Sequence, residues 1–469
     1  MTKSFQNTFG RYLGYLKQSI LGKEQDFTSG NIRKAIFMLA IPMILEMLME
    51  STFALVDIIF VSRISVNAVA TVGLTESVIT LVYAVAIGLS MAATAVVARR
   101  TGEKDNAGAA KAATQAIILG STVALLIGTI GIIFPKEILG LMGGESDLIE
   151  EGYGYTRILL SGNITVVLLF LINAVFRGAG DASVAMWTLV LSNGLNIILD
   201  PIFIFGWGPV PAYGVEGAAI ATTIGRGTAV IAQFLILFFG WSRIKLGIKD
   251  FVIRLDVMWN LIKVSLGGIG QFLIGTSSWV FLMRIMSEFG SDVLAGYTIS
   301  IRVMMFTLMP SWGMSNAAAT LVGQNLGAKQ PERAETSVWK TGKYNAIFMI
   351  SISVIYLLFA KYIIGLFSDV PDVVEYGALS LQVITAGYVF YAYGMVIIQA
   401  FNGAGDTKTP TLVNFFCFWL FQLPVAYLAA ITLDFGPLGV FGTITITEIL
   451  IAIWGMILFK KGKWKKVEV

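Results

Sequence analysis

From residue 35 to residue 459 the chain alternates long apolar stretches with short polar connections. Nearly every stretch exceeds the roughly 20 residues that a helix needs to cross about 30 Å of hydrocarbon. Division at turn residues and charges gives spans near 35–61, 70–98, 112–134, 153–176, 184–206 and 215–240. A second six follow near 261–286, 294–323, 344–366, 377–402, 410–433 and 440–459. The pattern predicts an all-α integral membrane protein of twelve transmembrane helices. Ahead of them, Phe5, Phe9, Tyr12, Leu13, Leu16 and Ile20 recur at helical spacing opposite basic residues. They predict a helix lying on the membrane surface, or a partly disordered tail, within residues 1–34; the segment has no long apolar core or cleavage site and is not a signal peptide.

Composition agrees: 56% of the residues are hydrophobic, mean hydropathy is +0.78, and only 13% are charged, against about 25% in a typical soluble domain. Charge then orients the spans. Segments on the N-terminal side of the membrane hold 25 Lys and Arg, whereas the six loops opposite hold Arg63 and Lys136. The positive-inside rule therefore places both termini in the cytoplasm. Topology accounts for the net charge of +4, so no nucleic-acid partner is implied. The absence of histidine removes the usual general base and the commonest zinc ligand. Cys417, alone in the sequence, is read as a packed thiol. The 18 methionines and 31 phenylalanines fit an adaptable apolar pocket.

The stretch FRGAGD at 176–181 returns as FNGAGD at 401–406, 225 residues later. The offset also pairs Ala70 with Ala295, Gly102 with Gly327, Lys104 with Lys329, Gly152 with Gly377, and GVEG at 214–217 with GVFG at 439–442. The chain reads as a tandem duplication with little or no gap. Each copy has six spans, an even number, so both enter the membrane in one orientation. Two six-helix bundles related by a pseudo-twofold axis along the membrane normal follow, with a central cleft that rocking opens to either side. The domains expected are a tail (1–34), an N-terminal bundle (35–240), a linker (241–260), a C-terminal bundle (261–459) and a basic tail (460–469).

FRGAGD and FNGAGD, together with LVGQNLGAKQPERA at 321–334, resemble the multidrug and toxic compound extrusion (MATE) family across essentially the whole chain. The motif glycines and acids are Gly178, Gly180, Asp181, Gly403, Gly405 and Asp406. The resemblance implies a V-shaped inner-membrane exporter of small amphipathic, often cationic compounds, exchanging them for protons or sodium ions and needing no other cofactor. A monomer in the lipid bilayer is expected.

Carboxylates within hydrocarbon are costly and are functional candidates by default. Under the 225-residue offset Glu46 pairs with Gln271, Glu50 with Gly275, Asp57 with Leu282, Asn196 with Phe421 and Asp200 with Val425. The acidic residues belong to the first copy, so they are not scaffold for the fold, and ion coupling is expected there. Asp57 and Asp200 fall at similar depth, and Asn196 and Asp200, four apart, share one helix face. Their oxygens suit a sodium ion and equally a proton, because a carboxyl group withdrawn from water holds a proton more readily. Asn196 followed by Asp200, with Asp57 in span one, resembles the DNA-damage-inducible F branch of the family. That resemblance implies a site of Asp57, Asn196, Asp200 and a span-six hydroxyl, taken as Thr222, with Ala218 and Thr223 near the same turn. The NorM branch carries acids in spans seven and ten; span ten here has none.

Glu46 and Glu50 share the Asp57 face of span one and are either cavity-lining or partnered structural residues. Pro42, four residues before Glu46, is a candidate bending point whose shift follows ion release. Glu76, Arg226, Arg284, Arg302 and Glu448 also fall in or near spans, the arginines read as snorkelling or paired. Two other readings are a lipid or lipid-linked sugar flippase, which needs a more cationic cavity, and an intramembrane aspartyl enzyme built on Asp57 and Asp200.

Overall fold

The computed structural model describes residues 14–22 and 26–469. Phe5, Phe9, Tyr12 and Leu13 of the expected surface helix lie outside these; residues 14–20 are helical. Among the described residues the fold is helical throughout, apart from one isolated β-bridge between Trp207 and Val210. The helices are α1 (Ile32–Val61), α2 (Val66–Gly102), α3 (Asn106–Ile133), the short α4 (Pro135–Leu141), α5 (Ser146–Ser161), α6 (Asn163–Ala179), α7 (Ala182–Phe205) and α8 (Val215–Phe239). Then come α9 (Leu255–Met286), α10 (Ser291–Gly327), α11 (Pro331–Gly365), α12 (Pro371–Ala386), α13 (Tyr388–Ala404), α14 (Lys408–Thr432) and α15 (Pro437–Lys460).

Ten helical segments among the described residues are long and apolar enough to cross a membrane, and α12 with α13 forms an eleventh, bent by 58°. The acid-bearing α1, 30 residues long, makes the twelfth. Spans four and ten are thus not the uninterrupted helices expected from hydropathy: α5 breaks from α6 at Gly162, and α12 from α13 at Gly387, exactly one repeat apart. A Cβ at Gly162 would crowd Thr223, and one at Gly387 would crowd Thr445, so each break lies where the last helix of its half comes closest. Span seven starts at Leu255, inside the expected linker.

Local signals place the helix ends. Asn31, Ser65 and Asp105 cap α1, α2 and α3 by accepting from the backbone N–H groups of Arg33, Ala68 and Gly108, which satisfies donors left over at a helix start. At the other ends of α6 and α13, Gly180 (φ 92°) and Gly405 (φ 86°) take the left-handed conformation. The N–H of Asp181 then reaches Phe176 O at 2.8 Å and that of Asp406 reaches Phe401 O at 3.0 Å, a Schellman closure.

The duplication is visible residue by residue. Helices α2 and α10, α5 and α12, and α6 and α13 have bounds exactly 225 apart. The halves meet through α1 against α10 and α2 against α9, with α2 also against α10. Gly88 sits against Ser265 O and Ile269 N, and its counterpart Gly313 against Met43 O and the Cα of Ile44. At the face that carries both described termini, Gly102 abuts Gln324 O while Gly327 abuts Arg99 O. Any Cβ there would meet backbone, so the halves close tightly on that face. Arg99 adds donations to Ala404 O and, at 2.9 Å, to Val467 O, and Arg333 donates to Phe27, Ser29 and Gly30 carbonyls.

One expected pairing is corrected. Left-handed Gly214 (φ 57°) corresponds to Gly436 (φ 59°), and the Thr223 contact at Gly162 to the Thr445 contact at Gly387. In the last helix of each half the offset is therefore 222, and GVEG does not align with GVFG. Two wide-turn segments within α14, Phe415–Gln422 and Leu428–Thr432, and a different loop before α15 absorb the change.

Candidate functional site

A cavity of about 460 Å³ lies between the halves. Helices α1, α2, α6 and α8 give it Glu50, Asp57, Glu76, Tyr83, Arg177 and Arg226; α9, α10 and α13 give it Phe272, Met309, Trp312, Asn316, Gln399 and Asn402. One wall is charged and the other uncharged, aromatic and amide. The glycine contacts close it toward the terminal face, while Glu76 and Arg302, toward the opposite face, are exposed.

At the edge of this cavity the structure brings Asp57, Asn196, Asp200 and Thr222 together. Asn196 Nδ2 donates to Asp200 Oδ1 and to Thr222 Oγ1, each at 3.1 Å. The i, i+4 spacing on α7 supplies the first contact and the facing turn of α8 the second. Thr223 instead donates to Ala219 O, and Ala218 has no hydroxyl, so Thr222 is the one that meets Asn196. Three buried oxygens have no hydrogen-bond partner among the described residues: Asp57 Oδ1, Asn196 Oδ1 and Asp200 Oδ2. The two carboxylates lie within electrostatic range of one another. Uncompensated buried oxygens are costly, and oxygen-only surroundings suit a hard cation or a proton. Among the described residues no three His, Cys, Asp or Glu side chains cluster so as to hold a metal ion.

The two span-one glutamates part company. Glu46 is buried away from the cavity, accepting from Arg177 at 2.6 Å and from Asn173 at 3.2 Å. Glu50 lines the cavity, 3.5 Å from Arg226. Pro42 is buried inside α1, which runs unbroken as a helix past it. Arg226 donates to Tyr83 Oη at 3.2 Å, and its guanidinium lies over the Phe53 and Tyr83 rings at 5.2 and 6.0 Å. Tyr83 carried no sequence signal beyond standing seven residues after Glu76 on one face of α2; Arg226, four after Thr222, shares the Thr222 face of α8. The other two span arginines singled out in the sequence are exposed: Arg284 pairs with Glu288, and Arg302 is within electrostatic range of Glu76.

The duplicated motif is architectural here. Gly178 packs on Thr94 O and Gly403 on Ala319 O. Asp181 accepts from the backbone N–H of Arg243 and forms an ion pair with its guanidinium, and Asp406 accepts from the N–H and hydroxyl of Thr409.

Comparison with known proteins supplies the family. The chain is 27% identical to the probable multidrug resistance protein NorM of Thermotoga maritima over 443 residues, 93% of this chain and 94% of that one. Crystal structures of a MATE protein in its straight and bent conformations superpose with TM-scores of 0.88 and 0.87 at 27% identity, each covering 94% of this chain and 98% of that one. The MatE family model matches residues 42–202 and 269–428, once in each half. This chain therefore belongs to the MatE family and is a multi-pass membrane transport protein.

Proposed function

We propose that the protein is a cation-coupled antiporter that exports small amphipathic, often cationic compounds by alternating access between its halves. The observation that carries this reading is the convergence of Asp57 Oδ1, Asn196 Oδ1 and Asp200 Oδ2, all buried and unpartnered, beside a cavity with an acidic wall. A sodium ion or a proton entering between them supplies the missing partner, with Thr222 as the fourth oxygen. The curated relative's name, a multidrug resistance protein, supports the substrate class. The excess of Lys and Arg on one side supports a cytoplasmic location for both termini. The glycine-sealed face is then cytoplasmic, and the arrangement is the outward-facing member of the cycle. Pro42 lacks the N–H that would continue the helical bonding, so a bend of α1 there would move the cavity wall when Asp57 gains or loses its cation.

The flippase alternative asks for free positive charge in the cavity. Arg177 and Arg226 are each committed to a glutamate, which leaves Asp57 and Glu76 to favour cations.

The test is dye efflux from proteoliposomes under separately imposed proton and sodium gradients, with Asp57→Asn and Asp200→Asn beside the parent. One gradient should drive efflux by the parent, and both substitutions should abolish it in protein that remains folded. Gradient-independent efflux, or normal pumping by either variant, rejects coupling at this site.

A further inference from the structure

We propose that Arg226 is the switch that makes cation binding and cationic-substrate binding mutually exclusive, by alternating between Glu50, which it covers here, and Asp57. The inference rests on the antiport reading and deepens it.

Glu50 and Asp57 are seven residues apart on α1, so they lie on one face about 10.5 Å apart along the axis. Phe53 stands between them on that same face, and the Arg226 guanidinium lies over its ring at 5.2 Å. Arg226 thus rests on Phe53 by a contact that tolerates sliding, since cation–π attraction does not demand one directed bond. Its bond to Glu50 is long, 3.5 Å, and Tyr83 Oη holds it at 3.2 Å. Arg226 is in electrostatic range of Asp57 without touching it, and Asp57 Oδ1 is without a partner. One buried guanidinium therefore faces two carboxylates, and here it is paired with Glu50 while Asp57 is within its electrostatic range only.

The charges decide the direction. The other groups facing this cluster are Glu46 from α1, Glu76 and Tyr83 from α2, Tyr155 from α5 and Asp200 from α7; the neighbouring cations are Arg177, paired with Glu46, and Arg302, beside Glu76. When a cation sits between Asp57 and Asp200, Arg226 is repelled toward Glu50 and blocks the carboxylate that a cationic substrate would use. When the cation leaves, Asp57 attracts Arg226 and Glu50 is uncovered. The cationic substrate and the coupling ion then exclude one another without touching.

The second half argues that the group is not there for the fold. Glu50, Phe53, Asp57 and Tyr83 correspond to Gly275, Ser278, Leu282 and Leu308 at the 225-residue offset. Arg226 corresponds to Glu448 at the 222-residue offset of the last helix. An equivalent bundle is built without any of the five.

Equilibrium binding of ethidium, a fluorescent cation, to the full-length protein in nanodiscs tests the switch across sodium and proton concentrations. In the parent, the coupling cation should weaken dye binding on the order of tenfold, within the 5- to 150-fold range usual for linked sites. Arg226→Gln should still bind dye but lose this dependence, and Arg226→Lys should restore part of it. If Arg226→Gln strands Glu50 and fails to fold, the Glu50→Gln, Arg226→Gln pair removes both charges; it should bind dye more weakly, again with no cation dependence. Full parental dependence in the arginine variant, or in the pair, overturns the switch while leaving antiport intact. A parent whose dye binding ignores both cations, or an Asp57→Asn protein that keeps the dependence, overturns the antiport reading itself.

Discussion

Glu46 and Arg177 form a buried ion pair at 2.6 Å, and at the same two positions of the second half Gln271 and Asn402 form a neutral hydrogen bond at 3.0 Å. One structural position has been filled twice, once with charges and once with amides. Removing one member of a buried ion pair strands the other, at about 3–5 kcal/mol, whereas replacing both is often close to neutral. Glu46→Gln alone should therefore lower thermal stability sharply, and adding Arg177→Asn should recover most of the loss. A melt in which the double variant is no better than the single one shows that the pair is not interchangeable with its amide counterpart.

Thr222 accepts from Asn196 and is the fourth oxygen of the cation site proposed above. Thr222→Val keeps the shape and removes that oxygen, leaving one Asn196 donor proton without its acceptor. Loss of one such hydrogen bond corresponds to about 1 kcal/mol. Half-maximal cation concentration for efflux should rise roughly fivefold, with maximal rate little changed. An unchanged concentration dependence excludes Thr222 from the site.

Gly102 and Gly327 allow α2 and α10 to touch backbone to backbone at the sealed face. Valine at either position pushes against a carbonyl that belongs to a rigid helix, so the halves must separate there. Spin labels at the exposed positions Lys111 and Thr336, one repeat apart, should report a new population at longer distance in Gly102→Val. A distribution identical to the parent's places the seal elsewhere.

Lys104 (φ 62°) and Lys329 (φ 58°) both take the left-handed conformation just after α2 and α10, which costs a non-glycine residue roughly 1–2 kcal/mol. Replacing either by glycine should raise the melting temperature, and replacing both should add. A fall at both positions means that lysine contacts outweigh the backbone strain.

The last residues of the chain are packed. Trp464 is fully buried, stacked on Phe459 at 4.5 Å and donating to Phe459 O at 2.9 Å. Trp464→Ala should cost about 3–5 kcal/mol, read as a lower melting temperature and weaker closure of the Arg99 contact to Val467. Parental stability in this variant shows the segment is dispensable.

Apolar stretches divided at turn residues and charges determined the spans and their number, because a membrane-crossing helix must be predominantly apolar over about 20 residues, but they did not reveal the breaks at Gly162 and Gly387. The repeated FRGAGD and FNGAGD announced the duplication, and their matching left-handed glycines follow from a local need to stop a helix. The pairing of Asn196 with Asp200 was legible for the same reason, since spacing on one helix fixes which side chains share a face. What lay beyond the sequence were relations between helices. That Glu46 answers Arg177 while Glu50 answers Arg226 depends on which faces of α6 and α8 the packing turns toward α1. That Thr222 rather than Thr223 meets Asn196 is a matter of 100° of rotation about α8. The change of offset from 225 to 222 was hidden because GVEG and GVFG match by letter, whereas contacts, not letters, align Gly217 with Gly439. The cavity arises from side chains, and the seal from backbone, far apart in the chain, and only the folded arrangement brings them within reach of each other.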